Sequence, residues 1–274
     1  MPSPLLDWIL NQAPFFLLAA ARCFALLSTL PLFSMRTIPR AAKVALAGYM
    51  AYFILPQVNF SSYEVFIGED GVSALNYILV LAGEILIGVI NGFYVTIIFA
   101  AFSTAGQFFA FQMGFSASEV YDSMSQVENP LMGQYFNLIA MLIFLQGQWA
   151  QRLFLGALVS SFKSLNCFLI VNEISRRNLV LFMVSGLTDL FTDALIIALP
   201  LMGTLLLVSV SVGLLSKAAP QMNLLSEGFP VMMLLSFFII TAVMPSLCDF
   251  FDRSFVTGFI KLERLFVSLS GGLL

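Results

Sequence analysis

The chain has 274 residues, of which 60% are hydrophobic and 10% are charged, and its formal net charge is −3. Ordinary soluble domains are about 45–50% apolar and about 25% charged, so this composition predicts an integral membrane protein or one packed against other apolar chains. The charge offers no basic surface for nucleic acid. Because the chain has no histidine, most zinc sites, Ser-His-Asp triads and imidazole relays are excluded.

About six apolar segments, separated by charged or polar residues, predict an all-α protein. They cover residues 5–33, 44–56, 72–110, 131–161, 179–216 and 230–248. Residues 248–274 are predicted to form an amphipathic helix, since Phe251, Phe255 and Phe259 recur there at helical spacing. Neither a repeat of fixed period nor a low-complexity linker interrupts the sequence, so we predict one all-helical domain over residues 1–274.

Charges between the segments conflict with regular alternation across a membrane. Arg36, Arg40 and Lys43 follow the first segment and indicate a cytoplasmic loop there. Strict alternation would then place the basic residues of 163–177 on the outer side, against the usual bias. The segments therefore do not predict six conventional spans.

Segment length and one interior charge lead to the same conclusion. Residues 85–118 contain no charge, and one helix of that length is roughly 50 Å, well beyond a hydrocarbon core of ~30 Å. Arg22 interrupts the first segment near its middle and must face protein or water, because an unpaired charge in lipid is costly. We expect much of the apolar surface to pack against partner proteins.

Small residues recur at every fourth position in the third segment, which predicts close approach of another helix. They are Gly88, Gly92, Thr96, Ala100 and Thr104. Packing within the chain is the favoured interpretation. Glu84 precedes the stripe, and we interpret it as a structural residue at a helix start, with a buried functional carboxylate as the alternative.

Asp189 and Asp193 lie one helical turn apart, ahead of Pro200. We interpret them as a helix start, where the helix dipole favours carboxylates. The less favoured alternative is a proton relay, because like charges at this spacing repel and raise one pKa.

The third connection follows a long apolar run with the sequence Gln-Met-Gly-Phe-Ser at residues 112–116. Gly114 is suited to a left-handed helix cap, and Pro130 is suited to restarting a helix. Composition alone favours a surface loop. The alternative is a flexible seal, because methionine and phenylalanine flank the loop and methionine adapts to varied surroundings.

The last connection, residues 214–230, is a polar break between two long apolar runs. Pro220, Gly228 and Pro230 predict a turn and fix the start of the following helix. Gln221 and Asn223 carry amides that need hydrogen-bond partners wherever water is absent.

These motifs, in this order and spacing, resemble the FliR family, the export-gate proteins of bacterial type III secretion, over most of the chain. The resemblance is strongest at residues 220–223 and 228–230 and good at 112–116 with Asp122 and Pro130. It is moderate at residues 31–43 and 84–93.

The resemblance implies a subunit of a hetero-oligomeric helical gate in the flagellar basal body, at the bacterial inner membrane. One copy of this family assembles with several copies of the companion proteins FliP and FliQ into a closed channel for unfolded polypeptides. Most of the assembled helices would stand above the membrane plane. No cofactor, metal or catalytic activity is implied.

Three sets of site residues are predicted, the first two from the resemblance and the third from the small-residue stripe. The channel plug or gate is predicted to comprise Gln112, Met113, Gly114, Phe115, Val120, Tyr121 and Asp122. The helix turn and partner contacts are predicted at Lys217, Pro220, Gln221, Met222, Asn223, Glu227, Gly228, Phe229 and Pro230. Close helix packing is predicted at Glu84, Gly88 and Gly92.

Two other classes of protein remain as alternatives. A secondary transporter of a small solute would also use broken helices and intramembrane carboxylates, but such transporters usually have two related halves, and the sequence shows none. A membrane-embedded enzyme is disfavoured by the lack of histidine and of a recognisable catalytic pair.

Overall fold

A computed structural model describes residues 4–34, 38–64, 74–114, 131–165, 167, 172–218 and 228–270. Every regular element in these ranges is helical, which confirms the predicted all-α fold class. The α-helices are α1 (Pro4–Thr29), α2 (Pro31–Ser34), α3 (Arg40–Ile54), α4 (Ser61–Glu64), α5 (Ala74–Met113), α6 (Leu131–Gln146), α7 (Trp149–Gln151), α8 (Leu158–Ser164), α9 (Glu173–Ala218) and α10 (Phe229–Ser270). A 3₁₀ turn (Leu55–Gln57) follows α3, and a π-helical stretch (Arg152–Ala157) joins α7 to α8.

Four described helices contain stretches long and apolar enough to cross a membrane. These stretches are Gln12–Thr29, Leu75–Met113, Glu173–Ala218 and Pro230–Leu269. A fifth span results if Leu131–Gln146 and Trp149–Ser164 together form one broken span. The second predicted segment forms α3, whose 15 residues extend about 22 Å and fall short of a ~30 Å hydrocarbon core.

The long helices exceed the thickness of a membrane. Helix α5 has 40 residues and α9 has 46, which correspond to about 60 and 69 Å. Helix α10 continues from an apolar segment into the predicted amphipathic tail without interruption. In that tail Phe251, Phe255 and Phe259 are buried, as their helical spacing predicts.

The chain divides into two compact units that interleave along the sequence. Unit 1 comprises Met1–Thr96, Gln148–Ser185 and Thr257–Leu274, and unit 2 comprises Ile97–Gly147 and Gly186–Val256. Helices α5, α9 and α10 contribute residues to both units. The prediction of one domain stays a prediction.

Phenylalanine rings form the interior of unit 2. The rings of Phe102 and Phe251 lie 4.1 Å apart between centroids, and Phe255 lies 5.2 Å from Phe99 and 5.3 Å from Phe144. Such aromatic pairs contribute about 0.5–1.5 kcal/mol each beyond the burial of their area. In unit 2, contacts between phenylalanine rings therefore hold α5, α6 and α10 together.

Candidate functional site

Arg22 of α1 is fully buried in unit 1, with 0% of its surface exposed. Its Nε donates to Oε2 of Glu84 at 2.6 Å. One terminal nitrogen donates to the Ser161 hydroxyl at 2.9 Å, and the other donates to the backbone carbonyl of Leu165 at 2.8 Å. The expectation that this arginine faces protein or water is confirmed, since protein groups satisfy it.

Glu84 is also buried, with 1% exposure, and holds a second partner. Its Oε1 accepts a hydrogen bond from the Tyr63 hydroxyl at 2.7 Å. Burial raises the pKa of Tyr63, and the Glu84 carboxylate raises it further, so the phenol stays protonated and can donate. The interpretation of Glu84 as a helix-start residue is wrong. Helix α5 begins at Ala74, because the apolar sequence before Glu84 continues the helix backwards.

The Arg22 cluster (Arg22, Tyr63, Glu84, Ser161 and Leu165) joins four helices of unit 1, namely α1, α4, α5 and α8. Leu165 is the C-cap residue of α8, so the guanidinium lies where the helix dipole favours a cation. The guanidinium carbon also lies 3.9 Å from the centroid of the Phe162 ring, within the range of a cation–π contact. The cluster fixes how these helices meet.

The glycines of the small-residue stripe lie against α1. A Cβ added at Gly88 would meet the backbone carbonyl of Arg22, and one added at Gly92 would meet the Thr29 hydroxyl. The Thr96 hydroxyl donates to the carbonyl of Thr29 at 2.8 Å. The absence of side chains at these two glycines is what allows the backbones to approach so closely.

The predicted gate segment begins where α5 ends. Met113 is the last residue of α5 and is fully buried, and Gln112 beside it is half-buried. Gly114 adopts a φ of 82°, the left-handed conformation expected of a glycine that follows a helix. The predicted residues Phe115, Val120, Tyr121 and Asp122 lie outside the described residues.

The predicted turn between the last two long helices is described only at its ends. Helix α9 ends at Ala218, and Lys217 in its last turn is exposed. Gly228 is buried and Pro230 is exposed, and Phe229 begins α10. The other predicted residues of this set, Pro220, Gln221, Met222, Asn223 and Glu227, lie outside the described residues.

Most of the apolar surface of α9 and α10 is left exposed by the rest of this chain. Only 22% of each apolar stretch is buried, compared with 56% for the stretch in α5. Large exposed side chains include Phe191, Leu207, Leu234 and Phe238. Because contiguous apolar surface of this extent is unstable in water, these faces require lipid or protein cover.

The carboxylates of Asp189 and Asp193 do not mark a helix start. Helix α9 begins at Glu173, so both residues lie well inside it, where they are half-buried. The largely apolar sequence between Asn178 and Asp189 propagates the helix, and this outweighs the capping preference of threonine and aspartate.

Sequence reasoning did not identify the partners within the Arg22 cluster. A signal was available, because Arg22 and Glu84 each interrupt an apolar segment, and pairing is the cheapest way to bury two opposite charges. Tyr63 and Ser161 gave no comparable signal, since tyrosine and serine occur throughout apolar helices.

Residues 13–258 match the family described as bacterial export proteins, family 1. The chain is 30% identical over 234 residues to the flagellar biosynthetic protein FliR of Escherichia coli (strain K12), covering 85% of each chain. It is 27% identical over 236 residues to the FliR protein of Bacillus subtilis (strain 168), covering 86% of this chain and 88% of that relative. A shorter similarity, 31% over 163 residues, relates it to the surface presentation of antigens protein SpaR of Shigella flexneri, with 57% and 59% coverage.

Proposed function

The chain belongs to the family of bacterial export proteins, family 1, and from this premise we propose that it is a structural and gating subunit of the flagellar type III protein export channel. The observation that carries the proposal is the family match over residues 13–258, together with FliR relatives that cover most of their length. The subunit would work in the bacterial inner membrane and catalyse no reaction.

Residues 112–122 would form the plug of the channel. A resting channel must exclude water and ions, and an apolar constriction does so by dewetting. The same constriction yields when a polypeptide enters, because apolar contacts are non-directional and re-form around the entering chain. The buried Met113 would anchor the segment to unit 2, and Gly114, with its φ of 82°, would be the hinge.

The exposed faces of α9 and α10 would be covered by partner subunits, the companion export proteins FliP and FliQ. Two observations support this assignment. The two apolar stretches are only 22% buried within the chain, and α9 is about 69 Å long, so a membrane of ~30 Å covers less than half of it. The turn near Lys217 and Pro230 would add polar partner contacts.

Copurification tests the assembly. The tagged full chain, extracted from its native membranes in mild detergent, should bring down two smaller hydrophobic proteins in excess over itself. Placing a charge on the exposed apolar face of α9, as in Leu207→Glu, should release them. A monodisperse chain that transports a small solute by itself would support the secondary-transporter alternative instead.

Membrane leakage tests the plug. Removing residues 116–123 should leave the complex assembled but make the membrane conduct small ions at rest. The matched control replaces the same residues by a Gly-Ser sequence of equal length, which preserves the connection and removes only the bulky side chains. If both variants assemble and neither conducts ions, residues 116–123 do not seal the channel.

A further inference from the structure

Helix α3 has one side buried in unit 1 and an opposite side that is exposed and apolar. The buried residues are Ala47, Met50, Ala51 and Ile54. On the opposite side Tyr49, Tyr52 and Phe53 are 62%, 68% and 45% exposed. Their rings touch one another, with centroids 4.8 Å apart for Tyr49 and Phe53 and 6.0 Å for Tyr52 and Phe53. This α3 face (Tyr49, Tyr52 and Phe53) is therefore one continuous aromatic patch.

Helix α3 runs back along α1 in the opposite direction. A Cβ added at Gly48, in the second half of α3, would lie 3.8 Å from the ring of Phe16, near the beginning of the apolar stretch of α1. Just beyond α3, the ring of Phe60 contacts that of Phe15 at 5.5 Å. The α3 face thus lies at the level where the apolar stretch of α1 that is long enough to cross a membrane, Gln12–Thr29, begins.

The charges of α3 are confined to its other end. Arg40 and Lys43 occupy its first turn, and the helix contains no acidic residue. Neither forms a salt bridge with a residue that the structure describes. Arg40 is exposed and Lys43 is half-buried. A short helix with cations at one end and tyrosines at the other has the pattern of a membrane element, since basic residues favour the cytoplasmic headgroups and tyrosines favour an interface.

We infer that α3 contacts membrane lipid directly and forms, with α1, a hairpin that seats the chain in the bilayer. The α3 face lies at one membrane–water interface, with its rings among the acyl chains and the tyrosine hydroxyls near the headgroups. At the other end Arg40 and Lys43 bind the phosphates of anionic lipids. The shortness of α3, about 22 Å, is accommodated because long basic side chains extend to the headgroups and the bilayer thins locally.

Lipid fits the charge of α3 better than a protein partner does. The cytoplasmic leaflet is anionic and attracts basic residues next to a membrane helix, and the sequence carries a further cation, Arg36, shortly before α3 begins. The outward side between the two ends carries only alanine, valine and aromatic residues, which lipid tails solvate without any specific partner. This inference goes beyond the proposed function and does not depend on the plug.

Tryptophan quenching by brominated lipid tests the inference on the full chain, with its copurifying subunits, in nanodiscs. Tyr52→Trp is the probe, and the unmodified chain, which contains Trp8 and the buried Trp149, supplies the background that is subtracted. The matched control is Tyr135→Trp, an exposed tyrosine of α6 in unit 2. Bromine near the headgroup end of the acyl chain should quench the Tyr52→Trp probe several-fold more than the control, and acrylamide in the water should quench it little.

The alternatives give different results. A Tyr52→Trp signal protected from both bromine and acrylamide would mean that a protein subunit covers the α3 face, and acrylamide quenching would mean that it faces water. Either result overturns the inference, and Phe53→Trp repeats the measurement if the first variant does not fold. Strong bromine quenching of both probes would support the inference and argue separately against protein cover of unit 2.

The basic end is tested with Val44→Trp, an exposed position in the first turns of α3. Brominated phosphatidylglycerol should quench this probe more than brominated phosphatidylcholine does. Adding Arg40→Gln and Lys43→Gln should reduce the preference about fivefold per residue, because each basic side chain contributes about 1 kcal/mol at an anionic surface. Equal quenching by the two lipids in the Val44→Trp chain that retains Arg40 and Lys43 would overturn the assignment of anionic lipid.

Discussion

The interiors of the two units are held together by different kinds of interaction, although both units belong to one strongly apolar chain. Unit 1 is organised by a buried ion pair, Arg22 with Glu84 at 2.6 Å, and by the hydrogen bonds around it. Unit 2 is organised by phenylalanine rings such as Phe102, Phe251 and Phe255. A guanidinium with fixed donors accepts only one arrangement of its partners, whereas apolar cores tolerate repacking when volume is preserved. The arrangement of unit 1 is therefore set by the directions of the hydrogen bonds that the Arg22 guanidinium donates, and that of unit 2 by how its rings fit together.

The largest effect should come from removing one member of the ion pair. Arg22→Met leaves the Glu84 carboxylate buried without its cation, and should lower the free energy of unfolding by about 5 kcal/mol, the upper end for broken buried pairs. Unfolding of the detergent-solubilised chain with increasing dodecyl sulfate measures this loss.

The matched variant replaces both charges. Arg22→Met with Glu84→Leu should recover most of the loss, because a pair of apolar side chains often substitutes for a buried ion pair. If the double variant were as unstable as Arg22→Met, the hydrogen bonds to Ser161 and Leu165, and not the charges, would organise unit 1.

A somewhat smaller effect is expected in unit 2. Phe255→Ala removes a ring that contacts Phe99, Phe102 and Phe144, and should cost about 4 kcal/mol through lost burial and a cavity. Phe255→Leu, which keeps most of the volume, should cost less than about 1.5 kcal/mol.

The control for unit 2 lies on its surface. Phe238 is 73% exposed, so Phe238→Ala should change the stability of the isolated chain by no more than about 0.5 kcal/mol. If it instead weakened copurification with partner subunits, the residue would belong to a covered face of the assembly.

A smaller loss than from Arg22→Met or Phe255→Ala is expected where α1 approaches α5 closely. Gly92→Ala places a methyl group against the Thr29 hydroxyl and the Leu26 carbonyl, and should destabilise the chain by about 1–3 kcal/mol. Gly203→Ala is the control, since nothing lies near that position, and alanine in a helix interior should stabilise by up to about 1 kcal/mol. Equal responses at the two positions would show that the glycine contact in unit 1 is loose.

The fold class and several local features of this protein can be predicted from the hydrophobicity and periodicity of the sequence alone. Composition predicted an all-α membrane-type chain, and the spacing of Phe251, Phe255 and Phe259 predicted the buried side of the last helix. Gly114 was expected to follow a helix in the left-handed conformation. These predictions succeed because they rest on the chemistry of neighbouring residues, which acts before any tertiary contact forms.

The tertiary structure alone decided which helices meet and which charges pair. Asp189 and Glu84 resembled helix-start residues locally, yet both lie inside long helices, because apolar sequence on either side propagates a helix through them. The pairing of Arg22 with Glu84 joins residues 62 positions apart. Sequence fixes the cost of each buried charge, but only the folded chain determines which partner is near enough to offset it.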